Sequence, residues 1–440
     1  MQPSSHRRSF LRQTSTGLGV VASLSSRASA ASPNDKLTLG LIGCGGRGLQ
    51  DAMRFKDVPN VELVYVCDCD EARRNAAAKT LGVQSNRAVA DMRRLFDDKS
   101  LDAVLIATPD HWHAVAAIVA CDAGKHVYVE KPISHNIREG RLLVEASSRN
   151  KVHVQHGTQC RSTQMMIDAI QFLHDGGIGD VLVAKCWNVQ KRSSIGRGQD
   201  TDPPAGFNYD DWVGPATMIP YRSNRVHNRW TWWYHFGTGD MGNDGVHDID
   251  YTRWGLGVET HPSRVVALGG KYYFEDDQEF PDTQQVTFEY SKAESSSRTK
   301  MLIYEQRLWS KNYPVNVDSG AEFYGTNGQL LLSRRGKVQC MDSNHKRMEL
   351  PIATQPQDDA AHIRNFIDAI RLGKPLNAAA LEGHLSTSLC HLGNIAVRIG
   401  RSLEFDPTTE QIKNDDAANA LIRREYRAHW ATPKNVSKSG

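Results

Sequence analysis

The sequence contains no run of about 18 apolar residues, so no conventional membrane-spanning helix is expected. Cysteine is scarce, and eight in 440 residues are too few for a disulfide framework. Internal repeats and low-complexity tracts are lacking after the first thirty residues, which excludes a solenoid or a fibrous repeat; Ser295-Ser296-Ser297 marks only a short loop. An excess of charge of one sign is also missing. Lys and Arg number 53 against 50 Asp and Glu, and four of the arginines (Arg7, Arg8, Arg12, Arg27) lie in the first thirty residues, which hold no acid. The remainder carries one acid in excess. It offers no bulk electrostatic reason to bind nucleic acid or an anionic membrane. What is present, 40% hydrophobic and 23% charged residues, is ordinary for a globular chain, and this length buries a large core without covalent staples.

Residues 1–31 have the layout of an export signal. His6-Arg7-Arg8-Ser9-Phe10-Leu11-Arg12 precedes a weakly apolar stretch, Gly17 to Leu24, and Ala28-Ser29-Ala30 supplies the small residues of an A-x-A cleavage site. The paired arginines before Phe-Leu resemble a twin-arginine export signal. The expectation is an exported, periplasmic or extracytoplasmic protein; the plainer alternative is a basic tail with a chance Arg-Arg pair. Export makes cysteine chemistry ambiguous, because folding and function then occur in different redox compartments. Cys67 and Cys69 alternate along one expected strand and read as buried thiols.

From Leu37 an apolar run of buried-strand length leads into Gly43-Cys44-Gly45-Gly46-Arg47-Gly48, a G-x-G-x-x-G turn, and then into a helix-compatible stretch. A second apolar run, Val61 to Cys67, ends at Asp68, 20 residues after Gly48. This order suits a dinucleotide. The first glycine permits the tight turn, the second lets backbone approach a pyrophosphate, and the third allows close helix–strand packing. Asp68 would accept hydrogen bonds from the adenosine ribose and repel a 2′-phosphate, favouring NAD over NADP. Strand–helix alternation continues through Leu101–Ala107, His126–Val129 and Val152–Gln155, which predicts a doubly wound parallel sheet. Ligands bind beyond the carboxyl ends of such strands. The candidate cofactor set is therefore Gly43, Gly45, Gly46, Arg47, Gly48, Asp68, Thr108, Pro109, His111, Glu130 and Lys131.

Beyond the first sheet, Asp180–Gln190, Arg264–Gly269, Thr283–Tyr290, Met301–Arg307 and Ala321–Tyr324 read as strands. Asn327-Gly328 reads as a hairpin turn before Gln329–Leu332. Helices are expected over Asp358–Leu372 and Gly383–Ile399. Six of the nine tryptophans fall between Trp187 and Trp254, close to Tyr221, Arg225 and His227. Aromatic faces beside such polar groups suit a sugar or polyol. An ordinary aromatic core or a dimer interface is the competing reading. His111 with His113, or His153 with His156, lack a completing ligand set, so no metal is expected.

Gly43–Gly48, Thr108–His113, Glu130-Lys131-Pro132 and the block Gly239-Asp240-Met241-Gly242-Asn243-Asp244-Gly245-Val246-His247-Asp248-Ile249-Asp250 together resemble the Gfo/Idh/MocA oxidoreductases over about residues 36 to 430. The resemblance implies a Rossmann domain at 36–156 and a substrate and oligomerisation α/β domain with a large, open, mostly antiparallel sheet at 157–375. Helices and a tail at 376–440 would pack back on the body. It implies that Lys131 and His247 flank the substrate carbon beside a nicotinamide, with Asn243 and Asp244 orienting them and Asp250 setting the histidine tautomer. Many relatives carry Asp where this chain has Asn243, and an amide cannot take a proton. Gln159 and Arg161 become candidate substrate contacts with Tyr221, Arg225, His227 and His247. The implied partner is a small carbohydrate or polyol, and the implied assembly a homo-oligomer through the second sheet.

The function implied is hydride transfer between NAD(P) and a sugar, sugar derivative or cyclitol. Because an exported chain meets no free nicotinamide pool, a redox-neutral glycosidase, epimerase or sugar–sugar oxidoreductase with tightly held cofactor is the alternative. Asn243 leaves open a non-catalytic nicotinamide-binding sensor.

Overall fold

The computed structural model describes residues 36–291, 298–310 and 312–435. The expected leader and the Ser295–Ser297 loop lie outside the described residues.

The first half forms a six-stranded parallel sheet. Its strands are β1 (Leu37–Ile42), β2 (Val61–Cys67), β3 (Ala88–Val89), β4 (Ala103–Ile106), β5 (His126–Val129) and β6 (Val154–His156), in spatial order 3-2-1-4-5-6. Helices α1 (Gly46–Lys56), α2 (Glu71–Leu81), α3 (Arg93–Asp97), α4 (Asp110–Asp122) and α5 (Ile137–Asn150) connect them. β4 is buried on both faces, which is why its sequence is a continuous apolar run. Strand order reverses between β1 and β4, and the crevice above that switch point is the expected ligand site.

The second half builds a ten-stranded sheet from β7 (Val181–Asn188), β8 (Arg264–Gly270), β9 (Thr283–Tyr290), β10 (Lys300–Arg307), β11 (Ser319–Gly325), β12 (Gly328–Ser333), β13 (Lys337–Asp342), β14 (Arg347–Met348), β15 (Leu403–Asp406) and β16 (Gln411–Ile412). Their order is 14-13-12-11-7-10-9-8-15-16. The β7–β10 pair is parallel and the other pairs are antiparallel. One face is covered by α6 (Gln164–His174), α8 (Val246–Leu256) and α10 (Ala380–Ile399), forming the largest apolar cluster. α7 (Tyr209–Val213) lies in the long segment between β7 and α8, and α9 (Asp359–Leu372) returns to the first sheet.

That return locks the two halves together. His156 N donates to Ala378 O at 2.8 Å, His362 Nε2 to His156 O at 2.9 Å, and Gln155 Nε2 to His362 O at 2.7 Å. Phe55, Tyr128 and Phe366 meet edge-to-face at 5.4–6.1 Å. Each such pair adds about 0.5–1.5 kcal/mol beyond the area it buries.

The aromatic-rich segment is mainly core. Trp212, Trp232 and Trp233 are buried in one cluster with Phe207, Tyr209 and Phe236. All eight cysteines are free thiols. Cys69 lies past the end of β2, so it does not share the strand's alternation with Cys67. Among the described residues, no helix is long and apolar enough to cross a membrane.

Candidate functional site

The glycine turn closes β1 onto α1. Gly43 has φ +94°, and a Cβ there would stand 2.6 Å from Ala107 O. A Cβ on Gly48 would stand 2.1 Å from Gly43 O, whereas one on Gly46 would meet nothing within 4 Å. The turn is thus crowded underneath and open above. α1 has Gly45 as its N-cap and no side-chain cap, so its first N–H groups remain available to an anion. The cleft above it has a volume of about 250 Å³ and is lined by Gly43, Gly45, Gly46, Arg47, Asp68, Thr108 and Pro109. Thr108 Oγ1 is buried without a partner among the described residues.

Asp68 accepts from Cys44 N at 2.8 Å and Asp70 N at 2.9 Å. Burial raises its pKa, against those two N–H donors. Arg73 lines the same wall, with Nη1 3.2 Å from the position of a Cβ on Gly45. His227 lines it too, 3.1 Å from Asp70. An uncapped helix start, two crowded glycines and a carboxylate at the adjacent strand end fit the diphosphate and ribose of a dinucleotide.

A second constellation lies where β5 ends against the 239–250 block. Met241–Gly245 is a single π-helical turn entering α8, a distortion that recurs at functional sites. It presents Asn243 to Lys131: Lys131 Nζ donates to Asn243 Oδ1 at 2.9 Å, and Asn243 Nδ2 donates to Asp240 Oδ1 at 3.0 Å. The amide joins a cation to a carboxylate, which an aspartate could not do while ionised. Asp240 is also held by Asn188 Nδ2 at 2.8 Å and by Arg192. Asp244 is gripped by Arg192 and by Arg334, the latter at 3.1 Å. Burial alone would raise the Asp244 pKa, but Arg334 and Arg192 outweigh it and hold the carboxylate well below its usual range.

His247 follows on α8 and is buried. Burial, then Arg334 and Lys131, push its pKa well below the ordinary value, with Asp244 opposing. The ring is therefore neutral, and Nδ1 has no hydrogen-bond partner among the described residues. Arg47 links this junction to the cleft, reaching Glu130 Oε1 at 3.2 Å and Asp359 Oδ2 at 3.1 Å. Burial would raise the Glu130 pKa, but Arg47 and Lys131 hold it down.

Other sequence-predicted residues sit elsewhere. Both ring nitrogens of His111 face backbone carbonyls, Trp212 O at 2.8 Å and Phe236 O at 3.4 Å, so it does not line the cleft. Asp250 is not paired with His247. It accepts from Arg161 Nε at 2.8 Å and Ser386 Oγ at 2.6 Å. Arg161 is thereby committed, with Glu382 and the Trp254 ring as further contacts. Gln159 donates to Glu130 Oε1 at 2.8 Å and Tyr128 OH at 3.0 Å, an anchoring rather than a ligand-facing arrangement. Arg225 is buried over Trp233 at 4.3 Å, and Tyr221 packs on Tyr209 at 5.4 Å; neither lines the nucleotide cleft.

Sequence reasoning missed Arg192 and Arg334, which reach the junction from beyond β7 and β12 and carry no local motif. It also passed over Trp112, His429 and Trp430, which line the cleft. Among the described residues, His261, His384 and Glu410 could offer three metal ligands. Arg141 already pairs with Glu410 at 2.6 Å, and both histidines hydrogen-bond the same carboxylate oxygen.

Two family descriptions match the chain: an oxidoreductase-family NAD-binding Rossmann fold over residues 37–158 and an oxidoreductase-family C-terminal alpha/beta domain over residues 187–432. A glycosyl hydrolase family 109 protein of Saccharopolyspora erythraea is 30% identical over 202 residues, 40% of this chain and 44% of that protein. The chain thus spans under half the length of that relative. The scyllo-inositol 2-dehydrogenase (NAD(+)) of Bacillus subtilis is 22% identical over 83% of this chain and 95% of its own length. The aldose-aldose oxidoreductase of Caulobacter crescentus, solved with glycerol, superposes with a TM-score of 0.64 at 15% identity, covering 84% of this chain and all of that one. Both halves of the fold, in their order along the sequence, place this chain in the Gfo/Idh/MocA oxidoreductase family.

Proposed function

We propose that this protein is an NAD-dependent oxidoreductase that transfers hydride to or from a carbon of a sugar, sugar derivative or cyclitol. The observation that carries the reading is the Lys131–Asn243 contact, which brings the end of β5 against the π turn with His247 beside it. NAD, when bound, supplies hydride acceptance and donation. The protein's own residues do the rest. The Lys131 ammonium donates to the reacting oxygen and stabilises its developing negative charge. The neutral His247 ring accepts the hydroxyl proton. Asp244, fixed by two guanidiniums, stabilises the imidazolium that results. Asp68 at the ribose end favours NAD over NADP.

A redox-neutral cycle is favoured by Asn243. Lys131 Nζ donates to an amide rather than a carboxylate, so no acid shares the lysine contact, and the proton taken by His247 can return to the same oxygen. Such a cycle oxidises a sugar carbon transiently and reduces it again, as in sugar–sugar oxidoreduction, epimerisation or glycoside cleavage. It accords with what two relatives are named for, glycosyl hydrolysis and aldose–aldose oxidoreduction. Export by the twin-arginine route belongs to the same proposal, since a folded protein would carry its cofactor out. We also propose a homo-oligomer through the large sheet, where Val266, Leu268, Tyr272 and Tyr273 are exposed.

Mass spectrometry of gently denatured protein is expected to release NAD. Incubation with a sugar panel, following reduced-nicotinamide absorbance and product together, then separates the cycles. Net reduction marks a dehydrogenase, and product without net reduction marks the redox-neutral route. NAD binding with no product from any sugar would mark the sensor reading instead.

A further inference from the structure

The cleft has a wall that comes from neither the glycine turn nor β2. His429 and Trp430, near the end of the described chain, line it together with Trp112 of α4 and Arg93 of α3. Trp112 meets His429 at 5.7 Å and Trp430 at 6.0 Å between ring centroids, and the Arg93 guanidinium lies 5.0 Å from the Trp430 ring. Trp430 is nonetheless 39% exposed, among the large apolar side chains left open to solvent.

The segment bearing it is firmly anchored. Arg424 and Tyr426 both bond the buried carboxylate of Glu139, at 2.8 and 2.5 Å. Arg427 reaches Asp210 Oδ1 and Asp210 O, and Arg427 N donates to Pro215 O at 3.1 Å. The segment therefore straps α5 to the α7 region and delivers two aromatic rings to the cleft. Asp68, Ala90, Asp91 and Met92 line the same cleft, whereas Lys131 and His247 do not. The wall therefore belongs to the cleft that holds Asp68 and is separate from the Lys131–His247 junction.

We infer that Trp430, supported by Arg93 and flanked by His429 and Trp112, is the stacking surface for the purine base of the dinucleotide, so that the 424–432 segment helps retain the cofactor. This rests on the nucleotide reading above and adds a residue role to it. A flat, π-rich base suits an indole whose other ring contacts are a guanidinium and two tilted rings, Trp112 and His429. The partial exposure of Trp430 is the surface such a base would cover.

The test uses the full chain freed of bound nucleotide and the probe ADP-ribose, which has the base and diphosphate but no nicotinamide. Calorimetry compares wild type, Trp430→Ala and Trp430→Phe, with ribose 5-phosphate as a probe lacking the base. Trp430→Ala is expected to weaken ADP-ribose about three- to tenfold and to leave ribose 5-phosphate unchanged, with Trp430→Phe restoring most of the loss. Equal ADP-ribose affinity in wild type and Trp430→Ala would overturn the stacking role. Failure of wild type to bind ADP-ribose would instead overturn the nucleotide reading beneath it. Thermal unfolding of each variant separates a lost contact from a lost strap.

Discussion

The nucleotide cleft and the Lys131–His247 junction are built in opposite ways. The floor of the cleft comes from neighbouring residues, Gly43 to Gly48, and is shaped by backbone: an uncapped helix start and two positions where a Cβ would strike a carbonyl. The junction joins residues 112 positions apart, Lys131 and Asn243, and its charges are set by Arg192 and Arg334 from still other segments. Local geometry thus makes the first site, and docking of two sheets makes the second. Damage to one should spare the other.

The sharpest break is Gly48→Val. Its side chain would drive into the Gly43 carbonyl, a backbone atom that cannot yield without opening the turn. Nucleotide should be absent from the purified variant by mass spectrometry. Next comes Lys131→Ala, which is expected to lower turnover about 10²–10³-fold while nucleotide affinity measured by calorimetry changes less than about twofold. His247→Gln should fall in the same class, near 10²-fold. Loss of nucleotide by Lys131→Ala would show the two regions to be coupled.

Acid separates them differently. Burial drives the pKa values of His111 and His156 to about 3 and of His362 to about 4. A histidine lowered in the folded state contributes stability that is full above its unfolded pKa near 6.5 and is lost as pH falls toward the folded value. Each of these should cost about 2 kcal/mol by pH 5. Because His156 and His362 clasp β6 to α9, thermal midpoints should drop steeply between pH 6.5 and 4.5. His362→Gln should flatten that slope. The smallest effect belongs to Asn243→Asp. Two carboxylates would then face each other where Nδ2 now donates to Asp240, and one pKa must rise. Turnover should fall less than about tenfold, with a new acidic limb in its pH profile.

This contrast also explains what could be read from sequence. The glycine turn, Asp68 and the alternating strands were legible because each is a local pattern with one structural meaning. Strands β7 to β12 of the second sheet were legible from their apolar runs and alternation, but β13 and β15 were not read, and β14 and β16 have two residues each and no pattern to read. α8 hid inside a motif because it is buried nearly all round and shows no apolar stripe. The block 239–250 was recognisable, yet its partners were not. Asp250 turned to Arg161, and Asp244 to two arginines, because pairing between distant charges depends on docking. The tryptophan density was visible, but composition could not distinguish a core cluster from a ligand wall; only Trp212 and Trp230 of the 187–254 group line the cleft.

On this account hydride passes between the nicotinamide of a dinucleotide whose diphosphate sits on the glycine turn and a sugar carbon positioned by Lys131 and His247. Loading the protein with NADH deuterated at the nicotinamide C4 and supplying the carbonyl form of an active sugar tests it directly. Deuterium should appear on the reduced sugar carbon with wild type and be lost at least a hundredfold in rate with Lys131→Ala. Product formed without deuterium, or labelled equally fast by Lys131→Ala, would contradict it.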